Sequence, residues 1–134
     1  MTPVLVDSNV LLDVATEDPD WMAWSRAALE RLADDSILVI NPLIFAEVSM
    51  GYMSIEALDD ALPPDLYRRE ALPYEAAFLA GKVFLDYRRR GGSRRSPLPD
   101  FYIGAHAAVS GYRLLTRDAT RYRTYFPRLE LIAP

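Results

Sequence analysis

Short apolar runs alternate with longer stretches of helical periodicity along these 134 residues. Val4, Leu5 and Val6 form the first run and stop at Asp7, the pattern of a buried parallel strand closed by an acid. Ser8 and Asn9 suit a turn or cap, with Val10, Leu11, Leu12 and Val14 continuing as a helix. Asp18-Pro19 predicts a capped helix through about Ala33, whose Trp21, Trp24, Ala28 and Leu32 recur at helical spacing and form a packing face. Asp34 and Asp35 are expected to break that helix before a second strand, Ile37 to Ile40. Asn41-Pro42 repeats the cap-and-proline signal and opens a helix from Leu43 to about Met50, with Glu47 inside it.

Further on, Ser54 caps a short helix through Ala61, and Pro63-Pro64 stops it. Leu66 to Leu72 fits either a loop or a short edge strand. From Pro73 to about Arg90 the pattern is that of a long amphipathic helix, with Ala77, Ala80, Gly81, Phe84 and Leu85 on one side and Gly91 as its left-handed cap. Pro99 and Asp100 start the next helix and Gly111 ends it; Gly104, one turn beyond Asp100, leaves room for a close neighbour such as the first strand. Arg113 to Thr116 reads as a strand, Arg117-Asp118 as a turn, and Leu129 to Ile132 as the last strand. Strands and helices alternating in this way predict one domain, residues 1–134, folded as a three-layer α/β/α sandwich with a mainly parallel central sheet.

Composition narrows the chemistry. At 51% hydrophobic residues the chain can bury an ordinary core. It has no Cys, which excludes disulfides, thiolate zinc sites and a cysteine nucleophile and fits a cytoplasmic location. No apolar run is long enough to span a bilayer and the first residues lack a basic leader pattern, so neither membrane insertion nor secretion is expected. The net charge of −4 argues against a protein that coats nucleic acid non-specifically. Any metal site must use oxygen ligands or the single His106.

In an α/β fold, the turns at strand C-termini and the adjacent helix starts share one edge of the sheet. Asp7 follows the first strand, Asp118 follows a later one, Glu47 lies in the helix after the second, and Asp100 sits in the first turn of a helix. Carboxylates gathered in partly desolvated space raise one another's pKa, and a hard divalent cation relieves that repulsion. Such a site suits Mg²⁺ or Mn²⁺ and phosphoryl chemistry through a positioned water. The pattern favours a metal-assisted phosphate enzyme over another acidic-pocket α/β protein or a chain with no site, and it predicts that Asp100 and Asp118 lie within reach of one cation with Asp7.

Two alternatives lack a necessary residue. A phosphoacceptor receiver domain needs a Lys after its last strand, whereas Lys82 is the only Lys and falls mid-helix. A haloacid-dehalogenase-type phosphatase needs a second Asp two positions after its nucleophile, and Asp7 is followed there by Asn9.

DSNVLLDV near the N-terminus, the internal Glu of PLIFAEV, PLPDFYIGAHA and LLTRDATRY occur in an order that resembles PIN-domain proteins of the VapC toxin type across essentially the whole chain. The resemblance implies a PIN fold, Mg²⁺- or Mn²⁺-dependent endoribonuclease activity, a homodimer, and neutralisation by a VapB-type antitoxin. It matches Asp7, Glu47, Asp100 and Asp118 to the family's acidic quartet, with Asp7 and Asp100 as direct metal ligands. Thr116 matches the hydroxyl position before the last acid, and Asn9 the polar position of the first motif. A PIN-like module that binds RNA or a partner without a toxin role is the alternative.

The loop RRRGGSRRSP is locally basic, and Arg94 and Arg95 are candidates for RNA-backbone contacts or for pairing with an antitoxin's acids. His106 lies six residues beyond Asp100, about 240° around a helix, and reads as a structural histidine off that acid's face. Tyr122, Tyr125 and Phe126 read as core or dimer packing in preference to base stacking.

Overall fold

The computed structural model describes residues 2–134. Five short runs pair into one sheet: β1 (Val4–Val6), β2 (Leu38–Ile40), β3 (Tyr67–Arg69), β4 (Arg113–Leu115) and β5 (Leu131–Ile132), in the order β3-β2-β1-β4-β5. Every pairing is parallel, with Val4 opposite both Leu38 and Arg113. The central strands β1 and β2 are buried throughout, which is why they read as unbroken apolar runs and not as alternating ones.

Seven α-helices connect the strands: α1 (Ser8–Ala15), α2 (Met22–Asp35), α3 (Pro42–Val48), α4 (Ile55–Ala61), α5 (Tyr74–Arg89), α6 (Pro99–Ser110) and α7 (Thr120–Tyr125). The chain moves from β1 outward to β2 and β3, then returns past β1 to β4 and β5. Right-handed crossovers therefore put α1–α4 on one face and α5–α7 on the other, giving the expected α/β/α layers. Most of the packing follows that division, α1 lying against α2 and α3, and α6 against α5 and α7, while α3 also meets α6 across it. The reversal of direction falls between β1 and β4, where a crevice opens beyond the strand C-termini.

Local signals account for many of the boundaries. Asn41 caps α3, its Oδ1 accepting from Ile44 N at 2.9 Å, with Pro42 in the first turn; Ser54 caps α4 through Ala57 N at 3.1 Å. Gly111 ends α6 at φ 70°, and Gly91 follows α5 at φ 95°. The ambiguous segment after Pro64 is the edge strand β3.

Several expectations need correction. Asp18 does not open α2: its Oδ1 accepts from Asp20 N and Trp21 N, forming a turn, and the helix begins at Met22. Asp34 and Asp35 do not break α2 but form its last turn, and Ile37 lies outside β2. The helix after Asn41 ends at Val48 and continues as a 3₁₀ turn, Ser49–Gly51. On α5 the buried positions are Ala76, Ala80 and Val83, whereas Leu85 is exposed. The neighbour of Gly104 is Phe126 and not the first strand: a Cβ added there would lie 2.5 Å from Phe126 Cε2. Helix α7 carries Tyr122 where only a turn and aromatic packing were expected.

Candidate active site

Asp7 leaves β1 and precedes α1, so the strand fixes its backbone at the sheet edge, where its N–H donates to Leu115 O at 2.9 Å. Its side chain is buried. Oδ2 accepts from Thr116 Oγ1 and from Tyr122 Oη, both at 2.9 Å. Oδ1 has only Ser8 Oγ at 3.5 Å, because that hydroxyl is directed to Glu47 Oε1 at 2.9 Å. One Asp7 oxygen is thus anchored and the other left for an incoming group.

Thr116 follows β4 and ties the site together. Its hydroxyl donates to Asp7 and accepts from Asn9 Nδ2 and from Asp118 N, each at 3.2 Å. Asn9 Oδ1 accepts from Arg117 N at 3.3 Å, so the first turn of α1 holds the turn that carries Asp118. Asp118 Oδ1 in turn accepts from Thr120 N at the start of α7.

Asp100 enters from the first turn of α6. Its contacts are long: Tyr122 Oη at 3.5 Å from Oδ1 and Arg121 Nη1 at 3.4 Å from Oδ2. A phenol has one proton, and the shorter bond to Asp7 takes it. A cavity of about 740 Å³ is lined by Asp7, Asn9, Glu47, Asp100 and Asp118, with Arg121 as its cation. Thr116 stands behind Asp7, outside the lining.

The electrostatics reflect this crowding. Burial, then the charges of Asp100 and Glu47, push the Asp7 carboxyl up from 3.8 to about 6 despite the hydroxyls of Thr116 and Tyr122. Burial also raises Glu47, with the Asp100 charge adding to it and the Ser8 bond opposing. Asp100 is raised by burial and by Asp118, against the lowering effects of Arg121 and Tyr122. Burial is the leading cause at all three acids, and mutual repulsion adds to it.

The PIN domain family model matches residues 4–127. The chain belongs to the PIN domain family. Solved structures share the fold of this PIN domain at low identity. A chain in the crystal structure of VapBC2 from Rickettsia felis, bound to a DNA fragment from their promoter, gives a TM-score of 0.74 at 18% identity over 98% of each chain. One in DNA-bound VapBC from Salmonella typhimurium gives 0.70 at 17% identity, covering 99% of this chain and 98% of that one. One in a toxin-antitoxin complex from Klebsiella pneumoniae gives 0.67 at 18% identity, covering 96% and 95%. No curated protein matches in sequence.

The donor set of the PIN domain suits a hard divalent cation: all oxygen, anionic, and short of counter-charge. Asp7, Asp100 and Asp118, expected to serve one cation, line the same cavity. Asp118 lines the cavity from its exposed rim. Mg²⁺ is commonly held by one or two carboxylates with several retained waters.

Arg94 and Arg95 are exposed and do not line the cavity. Their loop is tied to its wall nonetheless: Arg94 N lies 3.4 Å from Tyr87 Oη, and Arg90 stacks on Tyr125, both tyrosines lining the cavity. His106 is buried away from the acids, its Nδ1 2.9 Å from Asn41 Nδ2 and its Nε2 3.4 Å from Glu70 Oε1. Burial lowers its pKa, with Glu70 opposing.

Sequence reasoning missed four contributors: Ser8, Arg121, Tyr122 and the Asp13–Arg117 pair. Tyr122 packs in the core as expected, but its hydroxyl faces the acids. Its position four residues after Asp118 was the available signal, once a helix is allowed there.

Proposed function

We propose that this PIN domain is an Mg²⁺- or Mn²⁺-dependent endoribonuclease that hydrolyses RNA phosphodiesters in the cytoplasm, as the toxin of a VapBC-type pair. The observation that carries the reading is the single cavity at the β1–β4 crevice lined by Asp7, Glu47, Asp100 and Asp118, with Asp7 pushed up to about 6. Membership of the PIN family and the fold shared with VapBC structures support the toxin role.

In this reading Asp7 and Asp100 would hold the cation, with Glu47 and Asp118 lining the same cavity. Such an ion would supply a water of lowered pKa and would neutralise charge on the departing 3′ oxygen. Thr116 and Asn9 keep Asp7 and the Asp118 turn in register. Glu47 Oε1 is engaged by Ser8, leaving Oε2 to accept a proton from the attacking water. Arg121 is placed to meet a phosphate at the cavity mouth, and Arg94 and Arg95 to meet the backbone beyond it.

A VapB-type antitoxin and a second copy of the chain are the proposed protein partners. Exposed apolar side chains, Met50, Met53 and Ile55 in one group and Tyr74 and Phe78 in another, provide surface for such contacts. Among the described residues no helix is long and apolar enough to cross a membrane.

The second reading is a PIN module that binds RNA or a partner without cutting. Incubating defined RNAs with and without Mg²⁺, with Asp7→Asn as control, separates the two. Cleavage that needs both the metal and Asp7 supports the nuclease; full cleavage in chelator overturns the metal-dependent reading, and binding without cleavage supports the module.

A further inference from the structure

Tyr122 is the one described residue whose side chain reaches both Asp7 and Asp100. Its ring is buried in the core beneath α6, and its hydroxyl sits 2.9 Å from Asp7 Oδ2 and 3.5 Å from Asp100 Oδ1. Helix α7 begins two residues after Asp118, so the element that leaves the Asp118 turn also brings the phenol back between the other two acids. The ring does the packing, and a phenylalanine would do that equally well. Only the hydroxyl touches the site.

Resting on the proposed metal-dependent reading, we infer that Tyr122 is a positioning residue: its hydroxyl fixes the Asp7 carboxylate so that Oδ1 faces the cavity and holds the divalent cation. With Thr116 it occupies Oδ2 completely, which prevents the carboxylate from rotating and sets which oxygen is offered. Hydrogen bonds to the non-ligating oxygen of a ligand carboxylate tune affinity, and their loss weakens metal binding by about 10- to 100-fold.

The test is direct Mn²⁺ titration by electron paramagnetic resonance of wild type, Tyr122→Phe and Asp7→Asn, all with intact near-ultraviolet circular dichroism. The expected result is a dissociation constant raised about 10- to 100-fold in Tyr122→Phe and more in Asp7→Asn. An unchanged or tighter constant in Tyr122→Phe, with binding lost in Asp7→Asn, overturns the positioning role and leaves the metal site standing. Unchanged binding in Asp7→Asn overturns the metal reading itself. A second measurement is ¹³Cζ-tyrosine NMR of the unmodified chain, in which the resonance missing from Tyr122→Phe should move on addition of Mg²⁺. With Mg²⁺ binding shown by displacement of Mn²⁺, an unmoved Tyr122 resonance overturns the proposal.

Discussion

Arg117 Nε lies 2.9 Å from Asp13 Oδ2 and 3.0 Å from Oδ1, joining the turn after β4 to the buried side of α1. Ser25 Oγ donates to the same carboxylate at 2.8 Å, and the guanidinium rests over Trp21. Asp13 is buried while Arg117 is only partly so. Removing the acid leaves Arg117, which still reaches solvent, without its partner and the buried Ser25 hydroxyl without its acceptor. Asp13→Ala should therefore lower stability by about 1–3 kcal/mol, as read by urea unfolding. The same variant should displace the Asp118 turn and reduce RNA cleavage, even at temperatures where it remains folded.

Asp7→Asn is expected to abolish cleavage and to stabilise the metal-free chain. The folded carboxyl titrates near 6 in place of its ordinary 3.8, so the folded state retains a proton that the unfolded state releases between these values. Stability falls as pH rises through that window, and the loss, about 3 kcal/mol, is complete above it. The amide removes the charge but brings an N–H₂ group with few acceptors, leaving a net gain of about 2 kcal/mol. Thermal unfolding in chelator at pH 7.5 should show a higher midpoint for the variant, and at pH 4 little difference.

In the proposed metal-dependent reading, protons and the divalent cation compete for the Asp7 carboxylate. Lowering the pH from 7.5 to 5 should weaken Mg²⁺ binding about tenfold, following protonation of a group near 6, and calorimetric titration at the two values reads this directly. Cleavage at limiting Mg²⁺ should fall on the acid side in parallel, and excess Mg²⁺ should shift that limb to lower pH.

Replacing Arg94 and Arg95 together by Ala should weaken RNA binding and flatten its dependence on salt. Two lost phosphate contacts reduce the slope of log K against log[salt] by about 1.4 on single-stranded RNA. Fluorescence anisotropy over a salt series measures it, and an unchanged slope places the RNA elsewhere.

Gly104→Ala should cost about 1–3 kcal/mol, because the new methyl would collide with the Phe126 ring 2.5 Å away inside a filled layer. Pairing it with Phe126→Leu should recover part of the loss, a coupling that urea unfolding of the double variant would reveal.

The sheet and the acids were legible because their signals are local. Val4 to Val6 and Leu38 to Ile40 are buried on both faces and so lack polar interruptions, and Asn41-Pro42 and Gly111 mark boundaries by backbone chemistry alone. That Asp7, Glu47, Asp100 and Asp118 line one cavity followed from strand order, which right-handed crossovers constrain. What escaped depends on contacts distant in sequence. Asp18 carries a cap signature but spends it on a turn, and Tyr122 looks like any buried aromatic until the return of α7 toward β1 is known. Spacing cannot fix hydrogen-bond partners either: four acids at one edge were foreseeable, the engagement of Glu47 by Ser8 was not.

The two ends of the sheet have a consequence for assembly. β5 has only two residues, and β3 exposes Arg68 and Arg69, held by Glu70 and Asp59. A neighbouring chain that tried to add a strand would find too few free peptide groups on one side and a desolvation penalty for paired charges on the other. Strand addition at either end of the sheet is therefore disfavoured, and helix and loop surfaces are left as the favourable ground for contacts.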